Sequence, residues 1–128
     1  MTAQPAKAIK IPGPGHPISI EPDGNRVVVT FGGRVVADTR RALKLTESTI
    51  PPVLYIPRED ADMSLLERTS HATYCPFKGD ASYFSIRAGD RVAENAIWTY
   101  EAPYEAVAAI KDHLAFYTSR VDSIEERP

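Results

Sequence analysis

The sequence predicts one small, mainly β domain of the α+β class, with a single helix near its C-terminal end. Eleven prolines divide the 128 residues into short segments, which favours strands over long helices. Runs of β-branched and aromatic residues alternate with glycine-containing turns. Only residues 103–113 show helical spacing, and Pro103 is a good first residue for a helix. A chain of this length fits one domain with its own core.

Composition and charge argue against several functional classes. Apolar residues make up 43% of the chain and charged residues 25%, as in ordinary globular proteins, and the formal net charge is −2. A nucleic-acid-binding protein normally carries a basic face, so we expect no nucleic-acid partner. No apolar run resembles a signal peptide or spans a bilayer, and Cys75 is the only cysteine. These features predict a cytoplasmic protein with no disulfide bond and no membrane partner.

The chain divides into an arm, one domain and a tail. Residues 1–17 combine four prolines with two glycines, which predicts an extended, weakly ordered arm. Residues 18–124 form the β-rich domain. The charged residues 125–128 predict a solvated tail.

The domain opens with a predicted hairpin over residues 27–38. Its loop is Gly32-Gly33, and a two-residue glycine loop accepts the positive φ angles that a type I′ turn requires. A regular loop of this length pairs Val29 with Val36.

Further strands are predicted where short apolar runs lie between turn residues. Residues 42–46 could form a strand or a short helix, and the alternation of Leu43 and Leu45 with polar residues favours the strand. A later apolar run enclosed by prolines is typical of a buried strand. Asp62 is placed to cap a helical turn within residues 60–67. The predicted strands are residues 42–46, 53–56, 81–88, 92–100 and 114–117.

The most polar and aromatic segment, residues 71–83, surrounds the single cysteine. A cysteine becomes a nucleophile when a nearby cation stabilises its thiolate. Lys78 follows Cys75 across a turn that the Pro-Phe-Lys-Gly sequence predicts, so its ammonium group can approach the sulfur. With His71 four residues earlier, the candidate catalytic residues are Cys75, His71 and Lys78. The alternative is that Cys75 is a small buried side chain without chemistry.

The same segment offers few metal ligands. His71 and Cys75 are two ligands of a suitable type, but a structural zinc site needs four, usually from closely spaced pairs. His16 and His113 lie in the predicted arm and helix, and the sequence has no CxxC motif. We therefore expect no metal and no cofactor.

A second polar segment follows one of the predicted strands. Arg58 offers a planar guanidinium group that binds carboxylate or phosphate oxygens. The alternative is an internal ion pair with Glu47, Glu59 or Asp60. Aromatic side chains extend this site, although Trp98 also suits the core. The predicted ligand-binding residues are Arg58, Glu47, Tyr55, Tyr74, Tyr83 and Trp98.

Five motifs follow one another in a fixed order along the chain. They are Arg41-Ala42-Leu43, Pro52-x-x-Tyr55-Ile56-Pro57-Arg58-Glu59-Asp60, His71-x-x-Tyr74-Cys75-Pro76-Phe77-Lys78-Gly79-x-Ala81-Ser82-Tyr83, Glu94-Asn95-x-x-Trp98 and Ala115-Phe116-Tyr117. Together they resemble a widespread, mainly bacterial family, domain of unknown function 427, over about residues 16–124. The resemblance implies a β-tent-like fold, in which two antiparallel sheets meet at an angle, and a nucleotidyltransferase label. Other β-tent modules bind zinc through paired CxxC motifs, which this sequence lacks.

Three functional hypotheses remain open. We favour a small transferase-like enzyme that acts on a small anionic substrate in a pocket around the Cys75-Pro76-Phe77-Lys78-Gly79 turn. The alternatives are a non-catalytic module that holds a small polar or anionic ligand between aromatic rings, and an interaction domain that uses a sheet edge. A second copy of the chain is one candidate partner. One shared concavity is predicted for Glu47, Tyr55, Arg58, His71, Tyr74, Cys75, Lys78 and Tyr83.

Overall fold

The computed structural model describes residues 7–128, so the first six residues of the predicted arm lie outside the described part. The strands are β1 (Ile18–Pro22), β2 (Arg26–Phe31), β3 (Arg34–Thr39), β4 (Leu43–Glu47), β5 (Ile50–Pro57), β6 (Leu66–Cys75), β7 (Gly79–Ala88), β8 (Arg91–Thr99), β9 (His113–Phe116) and β10 (Ser123–Arg127). Short 3-10 turns span Arg58–Asp60, Met63–Leu65 and Glu105–Ile110. Within residues 7–128, no helix has the length and apolar character needed to cross a bilayer.

The strands form two antiparallel sheets, which confirms the mainly β prediction. One sheet has seven strands in the order β1-β4-β5-β9-β8-β7-β6, and the other has three in the order β10-β2-β3. β10 pairs with β2 from Ser123 opposite Thr30 to Arg127 opposite Arg26. Residues 125–127 of the predicted tail therefore belong to a strand, and their side chains are exposed.

The seven-stranded sheet is nearly divided between β5 and β9. Only two residue pairs join these strands, Ile56 with Leu114 and Pro57 with His113. The earlier part of β5 pairs with β4 and contains two consecutive prolines, which have no N–H group for a ladder on the other side. Residues 50–54 thus leave an open edge towards β8 and β9, and we call this opening the β5 gap.

Two apolar clusters lie on opposite faces of the seven-stranded sheet. The main cluster packs against the three-stranded sheet through Val27, Val29 and Phe31. Tyr55 belongs to the second cluster and its neighbour Ile56 to the first, because successive strand residues face opposite sides. The second cluster, rich in tyrosine, borders the β5 gap.

The predicted helix over residues 103–113 is wrong. The segment forms only the 3-10 turn Glu105–Ile110, in which Val107 has a non-helical φ of −124°. Backbone hydrogen bonds of Tyr104 and Asp112 tie both ends of the segment to neighbouring residues of the fold. Val107 and a second apolar side chain three residues later are fully buried, and a 3-10 turn places residues at this spacing on one side.

The predicted glycine turn is confirmed, but the predicted register of its hairpin is wrong. Gly32 and Gly33 have φ values of 60° and 76°, as a type I′ turn requires. Val29 pairs with Ala37 rather than with Val36, because a β-bulge shifts the register. The bulge turns two consecutive residues inwards, and Val36 and Ala37 are both buried.

The other predicted strands are confirmed as β4, β5, β7, β8 and β9, with bounds that differ by a few residues. Asp62 accepts a hydrogen bond from the Ser64 backbone and caps a 3-10 turn, as predicted. The sequence does not predict β1, β6 or β10. β6 is an edge strand with mainly exposed side chains, so its sequence lacks the apolar alternation of a half-buried strand.

Candidate functional site

A concavity of about 250 Å³ opens at the β5 gap, and we call it the aromatic pocket. β4 and β5 supply one side, and β7, β8 and the residue after β9 supply much of the other. Its lining residues are Leu45, Glu47, Ile50, Pro51, Val53, Tyr55, Lys78, Tyr83, Trp98, Tyr100 and Tyr117. Five predicted site residues therefore meet in one place: Glu47, Tyr55, Lys78, Tyr83 and Trp98.

A buried ion pair forms the most polar part of the aromatic pocket. Lys78 Nζ donates to Glu47 Oε1, and the two side chains are 9% and 12% exposed. His16 Nε2 lies 2.7 Å from Glu47 Oε2, and its ring stacks on Phe77 with centroids 4.1 Å apart. Burial acts to raise the pKa of Glu47, but hydrogen bonds from Lys78 and His16 outweigh it and hold the pKa below its usual range. Glu47 is therefore a carboxylate at neutral pH.

Three hydrogen-bond donors in the pocket have no acceptor within residues 7–128. The Tyr55 hydroxyl accepts from Trp98 Nε1 at 3.2 Å, which leaves its own O–H group available. The Tyr100 hydroxyl has no side-chain partner. Lys78 has three N–H groups, of which one reaches its carboxylate partner and one points to Cys75 Sγ at 3.7 Å. Burial raises the pKa of both tyrosines, so both hydroxyls stay protonated at neutral pH.

Aromatic rings form the walls around these donors. Trp98 meets Tyr55 edge-on, with centroids 6.4 Å apart, and packs against Tyr117 at 4.6 Å. The Tyr83 hydroxyl is hydrogen-bonded to Thr73 Oγ1 at 2.9 Å, which holds its ring in place. Ligand pockets commonly combine such apolar walls with a few directed polar groups. The space can therefore hold an apolar or aromatic body and bind one polar end.

Cys75 lies beside the aromatic pocket and is not among its lining residues. Its Sγ atom is 3.7 Å from Lys78 Nζ, as the predicted turn requires. The thiol is partly buried and packs against the second cluster. The thiol therefore has a cationic neighbour in Lys78. It is Lys78, and not Cys75, that lines the aromatic pocket.

Comparison with known families identifies the group to which the chain belongs. A family model described as "Domain of unknown function (DUF427)" matches residues 19–127. The chain belongs to the DUF427 family. The name of the family model also refers to nucleotidyltransferases. A search of curated proteins found no match to the chain. The matched range contains every lining residue of the aromatic pocket and leaves out His16.

In this DUF427 chain Arg58 lies on the opposite face of the sheet from Lys78, so the prediction that they share a concavity is wrong. Its guanidinium group bonds to Glu101 Oε2 at 3.4 Å and Thr99 Oγ1 at 3.2 Å. It also lies over the ring of Phe84, which belongs to the main cluster. The ion-pair partner differs from those that the sequence suggested, because β9 pairs with both β5 and β8 and brings their ends together.

His71 and Tyr74 are also outside the aromatic pocket. The exposed ring of His71 meets the Tyr83 ring edge-on at 4.4 Å, but it lines a separate open concavity along β6, β7 and β8. The Tyr74 hydroxyl donates to the carbonyl of Ala8 and is bonded to the Tyr104 hydroxyl at 2.7 Å. Residues 7–128 contain no group of three His, Cys, Asp or Glu side chains that could hold a metal ion.

Three polar or aromatic residues of the site are not predicted as site residues from the sequence: His16, Tyr100 and Tyr117. β1 pairs with β4 from Ile18 opposite Glu47, and this register brings His16 to that carboxylate. In the sequence, His16 is only a histidine two residues before a strand. Its contact with the Glu47 carboxylate can be predicted only when the partner of that strand is known. Tyr100 and Tyr117 directly follow β8 and β9, and aromatic residues at strand ends are an indication that the sequence does contain.

The Glu101 carboxylate gives the chain a testable dependence on pH. Hydrogen bonds from Arg68 lower its pKa to about 2, and Arg58 contributes further. A carboxyl group with a lowered pKa stabilises the folded state above its unfolded pKa of 4.5, and this stabilisation is lost as the pH falls towards 2. We expect Glu101→Gln to lower the free energy of unfolding by about 1 kcal/mol at neutral pH, since solvent screens this partly exposed group.

Urea unfolding at several pH values checks this expectation. The difference between the wild type and Glu101→Gln should shrink as the pH falls, because the wild-type carboxyl group then becomes neutral as well. The exposed Glu105→Gln is the control and should follow the wild-type curve. A difference that stays constant across this pH range would contradict the assignment.

Proposed function

We propose that this DUF427 chain is a small-molecule-binding protein. Its ligand has an apolar or aromatic body and an oxygen acceptor, either a carboxylate or a carbonyl group. The observation that carries the proposal is the set of donors in the aromatic pocket: the Tyr55 and Tyr100 hydroxyls and one N–H group of Lys78. These donors face the pocket, and an acceptor oxygen of a ligand would take the place of the water that otherwise binds them.

The size and charge of the pocket narrow the ligand class. Its volume of about 250 Å³ lies just below the roughly 300–1,000 Å³ typical of ligand sites, so the ligand is a compact compound such as a single substituted ring. The charge of Lys78 is offset by Glu47, and Arg58 is elsewhere. Only Lys78 therefore favours an anionic ligand. The alternative ligand is a neutral carbonyl compound, which offers the same kind of acceptor oxygen without the charge.

A matched series of ring compounds tests the proposal. Benzoate and benzamide both present an acceptor oxygen, whereas toluene has the ring alone. Trp98 is the only tryptophan and lines the pocket, so its fluorescence reports binding directly. We expect benzoate or benzamide to change this fluorescence with an apparent Kd at least tenfold lower than that of toluene. This ratio corresponds to a difference in binding free energy of about 1.4 kcal/mol. Equal weak effects from all three compounds would contradict an acceptor-binding site.

Single hydroxyl deletions locate the interaction. Tyr55→Phe and Tyr100→Phe each remove one of the proposed donors and keep the ring, and we expect each to weaken binding of the preferred compound about tenfold. Tyr74→Phe is the matched control, since its hydroxyl is bonded to Tyr104 outside the pocket. A loss of affinity in Tyr74→Phe as large as in Tyr100→Phe would place the ligand elsewhere.

Nucleophilic catalysis by Cys75 is the second candidate function. The observation that favours it is the 3.7 Å distance between Cys75 Sγ and Lys78 Nζ, since a nearby cation stabilises a thiolate. Rapid alkylation by iodoacetamide, slowed by benzoate or benzamide, would support this candidate. Alkylation no faster than that of a free thiol, together with unchanged ligand affinity in Cys75→Ser, would assign the pocket to binding without chemistry.

A further inference from the structure

A second and larger concavity opens at the β5 gap and reaches β10, an outer strand of the three-stranded sheet. We call it the inter-sheet groove. Its volume is about 630 Å³, which lies within the roughly 300–1,000 Å³ typical of ligand sites. Leu54, Ile56, Phe116 and Ile124 supply apolar surface that is absent from the aromatic pocket. The groove can therefore accept an apolar group that the smaller pocket cannot hold.

The groove and the aromatic pocket meet at the β5 gap and share part of their walls. Their common lining residues are Ile50, Pro51, Val53, Trp98 and Tyr117. Val53 packs against the second cluster, whereas Leu54 and Ile124, which line the groove alone, pack against the main cluster. These clusters lie on opposite faces of the seven-stranded sheet, and β5 pairs with β9 only through Ile56 and Pro57. The two concavities therefore adjoin where this ladder is missing.

The shared wall and the hydrogen-bond donors occupy different parts of the aromatic pocket. Tyr55, Lys78 and Tyr100 line the pocket and not the groove. The shared wall consists of aliphatic and aromatic side chains. A ligand whose acceptor oxygen is bound by the three donors therefore has its opposite end at the shared wall, and that end faces the inter-sheet groove.

The shared wall exposes apolar surface that a ligand can cover. Ile50 is 51% exposed, and the neighbouring Pro51 is exposed as well. Removal of such surface from water favours binding in proportion to the area covered. The charged side chains of Asp23, Lys44 and Glu126 also line the groove, and an apolar chain that reached them would strip water from them. The apolar part of the ligand is therefore short.

We propose that the ligand of the aromatic pocket carries a short apolar tail, and that this tail passes the shared wall and lies in the inter-sheet groove. The inference rests on the proposed function, because the donors of the aromatic pocket fix the direction of the ligand. The ligand class is a ring compound with a carboxylate or carbonyl group at one end and an alkyl substituent at the opposite end. Leu54 and Ile124 contact the tail and set the preference for it.

Three benzoates test the direction of the tail. Benzoate has no tail, 4-butylbenzoate carries it opposite the carboxylate, and 2-butylbenzoate carries the same tail beside the carboxylate. The matching benzamides replace them if benzamide is the preferred compound. Since each methylene group moved from water into an apolar site strengthens binding about fourfold, we expect 4-butylbenzoate to bind at least about thirtyfold more tightly than benzoate. Isothermal titration calorimetry on the full chain measures the affinities. Equal affinity of the two butyl isomers, or of 4-butylbenzoate and benzoate, would overturn the proposal.

Variants of the groove locate the tail. Ile124→Thr and Leu54→Thr each replace apolar groove surface by a hydroxyl group. We expect each to weaken 4-butylbenzoate binding at least about fivefold and to leave benzoate binding unchanged. Val35→Thr is the matched control, because Val35 is 52% exposed and lines neither concavity. Wild-type affinity for 4-butylbenzoate in both folded groove variants would overturn the proposal.

Failure here is distinguishable from failure of the proposed function. Tyr100→Phe removes a donor of the aromatic pocket, so it should weaken benzoate and 4-butylbenzoate by the same factor. If benzoate or benzamide binds and the butyl group adds no affinity, the tail inference fails and the proposed function stands. If 4-butylbenzoate binds but Tyr55→Phe and Tyr100→Phe leave its affinity unchanged, the groove alone holds the ligand and the acceptor site fails.

Discussion

Replacement of Lys78 by methionine should lower the free energy of unfolding by about 3 kcal/mol. Lys78 and Glu47 are 9% and 12% exposed, and the variant leaves the carboxylate buried without its main cation. Removal of one partner from a buried ion pair is far more costly than removal of one from an exposed pair, because the remaining charge stays desolvated. Urea unfolding at neutral pH measures the loss.

An exposed pair in the same chain provides the matched control. Lys7 pairs with Asp80, but their side chains are 57% and 69% exposed, so Lys7→Met should change the free energy of unfolding by less than about 0.5 kcal/mol. The double variant Lys78→Met, Glu47→Leu should recover most of the stability, since it leaves no unpaired charge. If Lys78→Met were as mild as Lys7→Met, the ion pair would not be buried in solution.

The second large effect should come from Trp98→Ala, with a loss of about 3 kcal/mol. Trp98 packs between Tyr55 and Tyr117, so truncation removes apolar contacts and leaves the Tyr55 hydroxyl without its donor. Trp98→Phe keeps a ring in this position and should lose less than half as much. Chemical unfolding followed by circular dichroism is suitable, because the variants lack the only tryptophan.

Trp98→Ala should also weaken ligand binding in the aromatic pocket. The indole ring lines the aromatic pocket, so calorimetry should show at least a tenfold loss of affinity for benzoate or benzamide. Trp98→Phe should retain more affinity for the same compound. Wild-type affinity in a folded Trp98→Ala protein would show that the ligand does not contact this ring.

The fold was predictable where the information is local. The two glycines at residues 32 and 33 specify their turn, and Asp62 specifies its cap. The pairing of strands distant in sequence was not predictable, because edge strands such as β6 and β10 have no apolar pattern that indicates a partner. The predicted helix failed for a related reason: tertiary hydrogen bonds at Tyr104 and Asp112 favour a 3-10 turn over the local preference.

The candidate site shows the same limit. The approach of Lys78 to Cys75 follows from a short turn and was predicted correctly. The partners of Lys78 and Arg58 depend on which strand ends meet, and a sequence cannot show this. The sequence suggested Glu47, Glu59 or Asp60 as the partner of Arg58, whereas Arg58 pairs with Glu101 and Glu47 pairs with Lys78.

The pairing of β10 with β2 has a consequence for synthesis of the chain. Ser123 pairs with Thr30 and Arg127 with Arg26, so about a hundred residues separate the partners along the sequence. Closing so large a loop is slow, and contacts of this kind are characteristic of proteins that fold in milliseconds to seconds. The ribosome must release residue 127 before the smaller sheet can be completed. Until then β2 exposes an unpaired edge, and an unpaired edge in a partly synthesised chain favours aggregation.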